Sequence, residues 1–123
     1  MSNTFHDLYA SLLHAVFLER ARQQLTQGED GLIHANTYAD QGKPDFALAY
    51  LLLIDCPEET KRDILARAYE RRAIFCDEKA SEFDQLYHRP FPLIKLEAQK
   101  DRMAAKQVRQ GKQVLRSGKA LTI

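Results

Sequence analysis

Apolar and polar residues along Pro57 to Tyr87 alternate with the period of a single long helix. Leu65, Ala68, Tyr69, Phe75, Cys76, Ala80, Phe83, Leu86 and Tyr87 recur at three- and four-residue steps and share one helical face. Arg72 is the one interruption in that stripe. The stretch has no glycine, and its proline stands in the first turn, where a missing N–H costs nothing. Asp55 and Glu58 have the spacing of a capping box, and Pro90 and Pro92 close the far end. Some thirty residues at a rise of 1.5 Å make a rod of roughly 45 Å. That is long for a chain of 123 residues. Either other helices pack along all of it, or part of its apolar stripe meets another chain.

The rest of the pattern is helical too. Thr4 to Gln27 reads as one helix, opened by Thr4-x-x-Asp7 and stopped by Gly28, with Phe5, Leu8, Tyr9, Leu12, Leu13, Val16, Phe17, Ala21 and Leu25 on a wide apolar face. Leu32 to Gln41 is a short helix ended by Gly42. Asp45 to Ile54 is a third, opened by Pro44; apolar all round, it belongs at the centre or under a partner. The last helix is expected from Leu93 to about Arg116. Its apolar stripe of Ala104, Val108, Gly111 and Leu115 is thin, so this end is expected to fray alone and to order on a partner. The expected fold is all-α: one domain over 1–123, an irregular bundle of about five helices, two of them long (about 57–87 and 93–116).

Within that scheme Ala35, Tyr38, Gly42 and Ala47 stand at the small, aromatic, turn and small positions of a tetratricopeptide repeat. Residues 31–57 resemble one such helical hairpin, which implies close helix approach at the alanines and a protein-binding role. Gly31 stands where the motif has a large aromatic, and no second copy follows one repeat-length later. The same stretch fails as a DNA-reading helix-turn-helix, because Phe46 to Ile54 offers no polar side chain to base edges.

Composition changes this picture little, but charge changes it more. Hydrophobic residues at 45% and charged residues at 28% suit a globular chain with a real core. The longest apolar run, Phe46 to Ile54, is far short of the roughly 20 residues of a membrane span. No secretion signal is read after Met1, and two lone cysteines, Cys56 and Cys76, suit a reduced cytoplasm. The net charge of +1 conceals a polarity. Residues 1–94 carry 10 basic and 15 acidic side chains, whereas residues 95–123 carry 8 basic and 2 acidic. A basic end on an acidic body implies an anionic partner, or a tail that packs on its own body or on that of a second copy.

Candidate chemistry is sparse. Among His6, His14, His34 and His88 no two share the spacing of a metal-binding helix face. Asp84/His88 and Asp30/His34 read as helix-end pairs. No serine sits in a nucleophile elbow, and no glycine cluster forms a phosphate loop. No catalytic residue, cofactor, metal or small-molecule substrate is inferred. Arg102, Lys106, Arg109 and Arg116 share one face of the last helix and are the candidate phosphate contacts for RNA or DNA. Residues opposite them are too slight for membrane adsorption. Tyr69, Phe75, Phe83, Tyr87 and Tyr50 are the candidate protein interface. The expected function is a small cytoplasmic, non-catalytic interaction module that pairs with itself, with a nucleic-acid-associated regulator as the alternative.

Overall fold

The computed structural model describes residues 4–13, 15–112 and 114. Those residues form an all-α bundle with no strand. The six helices among them are α1 (Phe5–Tyr9), α2 (Ala15–Thr26), α3 (Gly31–Asp40), α4 (Pro44–Leu53), α5 (Glu58–Tyr87) and α6 (Pro92–Arg109).

The expected single helix from Thr4 to Gln27 is two. Thr4 and Asp7 form the capping box that the sequence announces, but a 3-10 turn at Ala10–Leu12 follows α1, and Leu13 is extended (φ −106°, ψ 132°). The break has a packing cause. Phe5 and Tyr9 are buried toward the start of α5 and the segment just after α6: the Phe5 N–H donates to Glu58 Oε1 (3.3 Å), and the Tyr9 hydroxyl donates to the Lys112 carbonyl (2.8 Å). Phe17, by contrast, meets Phe46 of α4 edge to face. One straight rod could not aim its wide apolar face at both.

α3 and α4 form the hairpin expected over 31–57. Asp30 caps α3 by accepting from the N–H groups of Leu32 (2.9 Å) and Ile33 (3.2 Å). A Cβ at Gly31 would lie 2.3 Å from Ile54 Cγ2, which explains glycine where a large aromatic stands in the repeat motif. Gly42 turns the chain at φ +69°, and a Cβ there would lie 2.9 Å from the Arg72 amide nitrogen and the Phe75 ring. The hairpin therefore lies flush against α5. α4 is central, as its uniform apolarity requires: Ala47, Leu48, Ala49, Tyr50 and Leu51 are all buried.

α5 has the expected extent, but its start is built differently. Pro57 is the N-cap without any side-chain bond, and Glu58 serves Phe5 rather than a capping box with Asp55. At its other end His88 adopts the left-handed conformation (φ 56°, ψ 37°) and its N–H donates to the Asp84 carbonyl at 2.8 Å. The four residues His88 to Phe91 then reverse the chain into α6, which returns antiparallel. α6 ends at Arg109, short of the expected Arg116. Gly111 is left-handed (φ +69°) and the Lys112 N–H donates back to the Gln107 carbonyl (2.9 Å), a glycine C-cap that the stop signal at Gly118 had hidden. Among the described residues the basic segment is helical as far as Arg109; Arg116 and Leu115 lie outside them.

The main core joins α1, α3, α4, the first half of α5 and the end of α6 around Tyr9, Leu48, Leu51, Leu65, Tyr69 and Val108. A second, small core of Ala73, Cys76 and Ala98 with Ile94 lies further along α5 and α6. Past the α3–α4 turn, α5 has only α6 beside it among the described residues, so the two helices project as an arm.

Candidate interaction surface on the helical arm

The arm is organised like an antiparallel two-helix coiled coil. Leu65, Tyr69, Arg72, Cys76 and Ala80 of α5 are buried opposite Ala98, Asp101, Ala105 and Val108 of α6, at three- and four-residue steps in both helices. Most of these side chains are small, so the seam has little volume to fill and the helices lie close. One layer is ionic. Arg72 Nε donates to Asp101 Oδ2 at 2.9 Å and its terminal nitrogen donates to Oδ1 at 2.8 Å, a two-pronged pair. Asp101 is fully buried and Arg72 is 5% exposed. The guanidinium also stands 5.5 Å from the Tyr69 ring centroid. The interruption in the α5 stripe is therefore a core residue with a partner on α6.

One flank of the seam is closed by charge. Asp77 accepts from Arg102, Glu70 accepts from Arg109, and Asp63 accepts from Arg109 at 2.8 Å. The three acids and the two arginines are each seven residues apart, so they keep one line along their helices. This answers part of the charge polarity: Arg102 and Arg109 of the basic end pair with acids of α5. Of the candidate phosphate contacts, Arg102 and Arg109 belong to this ladder, Lys106 faces solvent beside it, and Arg116 lies outside the described residues. An open cleft runs along the ladder, lined by Glu70, Arg102, Ala105, Lys106, Arg109 and Gln110.

The opposite flank is open and carries both apolar and charged side chains. In the body this side of α5, at Ile64 and Ala68, is buried against neighbouring helices. On the arm it continues as Phe75, Lys79, Glu82 and Leu86, all exposed or half-exposed. The matching side of α6 runs from buried Ala104 to Lys100, Glu97 and Leu93. Phe75 is 43% exposed, Leu86 63% and Leu93 75%. At the tip Phe83, Tyr87 and Phe91 pack edge to face in a triangle, with centroids 5.3–5.8 Å apart.

The five candidate interface residues divide on this map. Phe75 and Tyr87 are exposed on the arm, and Phe83 is half-buried between them. Tyr69 and Tyr50 are corrections: both are buried within the chain. Tyr69 fills the seam beside Arg72, because α6 returns over the face on which it stands. Tyr50 stacks on His34 (5.0 Å) in a column with Tyr38 and Phe46 between α3 and α4. Burial raises the Tyr50 phenol above its ordinary pKa, with Tyr38 and Glu29 adding to the rise and Arg20 opposing it. Neither helix-end histidine pairing is the one expected: His34 Nε2 lies 3.0 Å from Glu29 rather than against Asp30, and His88 acts through its backbone.

Among the described residues no group of three or more His, Cys, Asp or Glu side chains is placed to hold a metal ion, and no helix is long and apolar enough to cross a membrane. Cys56 and Cys76 form no disulfide. No family model, no curated protein and no solved structure matches the chain.

Proposed function

We propose that the chain is a non-catalytic helical interaction module whose binding element is the α5–α6 arm. The observation that carries this reading is the placement of exposed apolar side chains. Phe75, Leu86, Tyr87, Leu93 and Leu96 gather on the arm, on and beside the flank that the ion ladder leaves open. Exposed apolar side chains grouped on one element and interspersed with charges favour a protein contact. A two-helix face with an open flank accepts a third helix, as α5 already does with α4 in the body.

The test is site-specific photo-crosslinking with the full chain in cells. A photoreactive phenylalanine replaces Leu86 or Leu93 on the open flank, and Arg22 on α2 as a control. Discrete protein adducts from positions 86 and 93, absent from position 22, are expected. No adduct from either arm position would end the reading.

A further inference from the structure

The open flank of α5 has a property that a docking site for an unrelated partner does not need: it is complementary to itself. Phe75, Lys79, Glu82 and Leu86 are spaced four, three and four residues apart, a pattern symmetric about the midpoint between Lys79 and Glu82. A two-fold axis through that midpoint lays a second α5 antiparallel on the first. Phe75 then meets Leu86 of the second copy, and Lys79 meets Glu82 of the second copy, with each contact made twice. Apolar side chains meet apolar ones, and every base meets an acid. In the isolated chain the Lys79 ammonium stands 3.5 Å from Glu82 of its own helix and 5.5 Å from the Phe83 ring centroid, and the Lys79 and Glu82 side chains are exposed.

We propose that the partner of the arm is a second copy of this chain, bound through α5 about a two-fold axis between Lys79 and Glu82. The inference rests on the reading of the arm as the binding element and names its occupant. On α6, Leu93 lies at the edge of the same flank and widens the contact. The area suits a weak dimer. Of the exposed apolar side chains, Phe75, Leu86 and Leu93 lie on this flank; at roughly 200 Å² for a large side chain they offer about 350 Å² per copy. With the stems of Lys79 and Glu82 the total over both copies is about 800–900 Å², the size of a weak or transient contact. The ion ladder stays intact on the far flank, so dimerisation requires no rearrangement of the arm.

The experiment is sedimentation equilibrium on the full chain with a charge-swap pair. The wild-type chain is expected to dimerise in the micromolar range. Lys79→Glu makes the central contacts acid on acid, and Glu82→Lys makes them base on base; each is expected to weaken dimerisation at least tenfold while leaving helix content unchanged. Mixed one to one, the two variants are expected to recover wild-type association as a heterodimer. A merely intrahelical role for the Lys79–Glu82 pair would not produce that rescue. A wild-type chain that stays monomeric at 200 µM overturns the proposal, as do single variants that dimerise normally or a mixture without rescue. If the chain is monomeric yet positions 86 and 93 crosslink to other proteins, the self-pairing fails and the interaction module stands. If they crosslink to nothing, both fall.

Discussion

Removing one member of the Arg72–Asp101 pair is expected to cost far more stability than removing both. The pair lies in the seam between α5 and α6, with Asp101 fully buried and both guanidinium–carboxylate bonds under 3 Å. Asp101→Asn keeps the shape and an acceptor but strands the arginine charge. Arg72→Met strands the carboxylate instead. Breaking a buried pair in this way costs about 3–5 kcal/mol, because the remaining charge has lost its counter-ion and cannot reach water. Against a total stability of roughly 6–18 kcal/mol for a chain of this length, that loss is severe. Arg72→Met with Asp101→Leu removes both charges together and is expected to be near neutral, or stabilising by about 1–4 kcal/mol. Urea denaturation followed by circular dichroism at 222 nm measures all four proteins, and the double-mutant cycle isolates the coupling. Single variants costing less than about 1 kcal/mol would refute the account, and so would a double variant whose loss equals the sum of the singles. The apolar double variant also tests specificity. A single polar layer among alanines defines register, since sliding the helices past one another separates the ions. Broadened or doubled amide resonances along the arm, at undiminished stability, are expected from the double variant.

Three further outcomes are expected. The Tyr9 phenol is raised above its ordinary pKa of about 10 by burial, against a lowering by Arg62. Its folded form therefore holds the proton longer than its unfolded form, and the stability it contributes is full below pH 10 and is lost as pH rises beyond it. Tyr9→Phe should blunt that alkaline loss and, by removing the bond to the Lys112 carbonyl, speed limited proteolysis after α6. Gly42→Ala should destabilise markedly more than Gly111→Ala in thermal unfolding. Both positions have φ +69°, worth about 1–2 kcal/mol each, but only at Gly42 does a Cβ meet the Arg72 backbone and the Phe75 ring. Oligonucleotide binding by the wild-type chain should be weak at low salt, because Arg102 and Arg109 already face carboxylates. Asp77→Asn with Glu70→Gln should strengthen it and steepen its salt dependence, as read by fluorescence anisotropy, at a stability cost within about 1 kcal/mol for each exposed pair.

What the sequence made legible is what local periodicity encodes. The stripe from Leu65 to Tyr87 announced α5 with correct ends, and Pro44 and Gly42 bracketed the α3–α4 hairpin. The break at Leu13 was not legible, since it answers two neighbours contributed by distant segments, α4 for Phe17 and the Lys112 turn after α6 for Tyr9. The Arg72 interruption was visible, but its meaning lies 29 residues away, on a helix that only the fold lays alongside. The basic stripe was likewise visible, but periodicity alone leaves open an anionic partner, the chain's own body or a second copy. The signal that assigns it inward is a match between two helices: Asp63, Glu70 and Asp77 recur every seven residues on α5, as do Arg102 and Arg109 on α6. That heptad match also bears on function. A two-helix seam has two flanks, and here one is occupied by salt bridges within the chain. Arg102 and Arg109, two of the candidate phosphate contacts, already face acids of their own chain. The proposed contact is therefore placed on the other flank, where Phe75, Leu86 and Leu93 are exposed and where Lys79 and Glu82 carry opposite charges one turn apart.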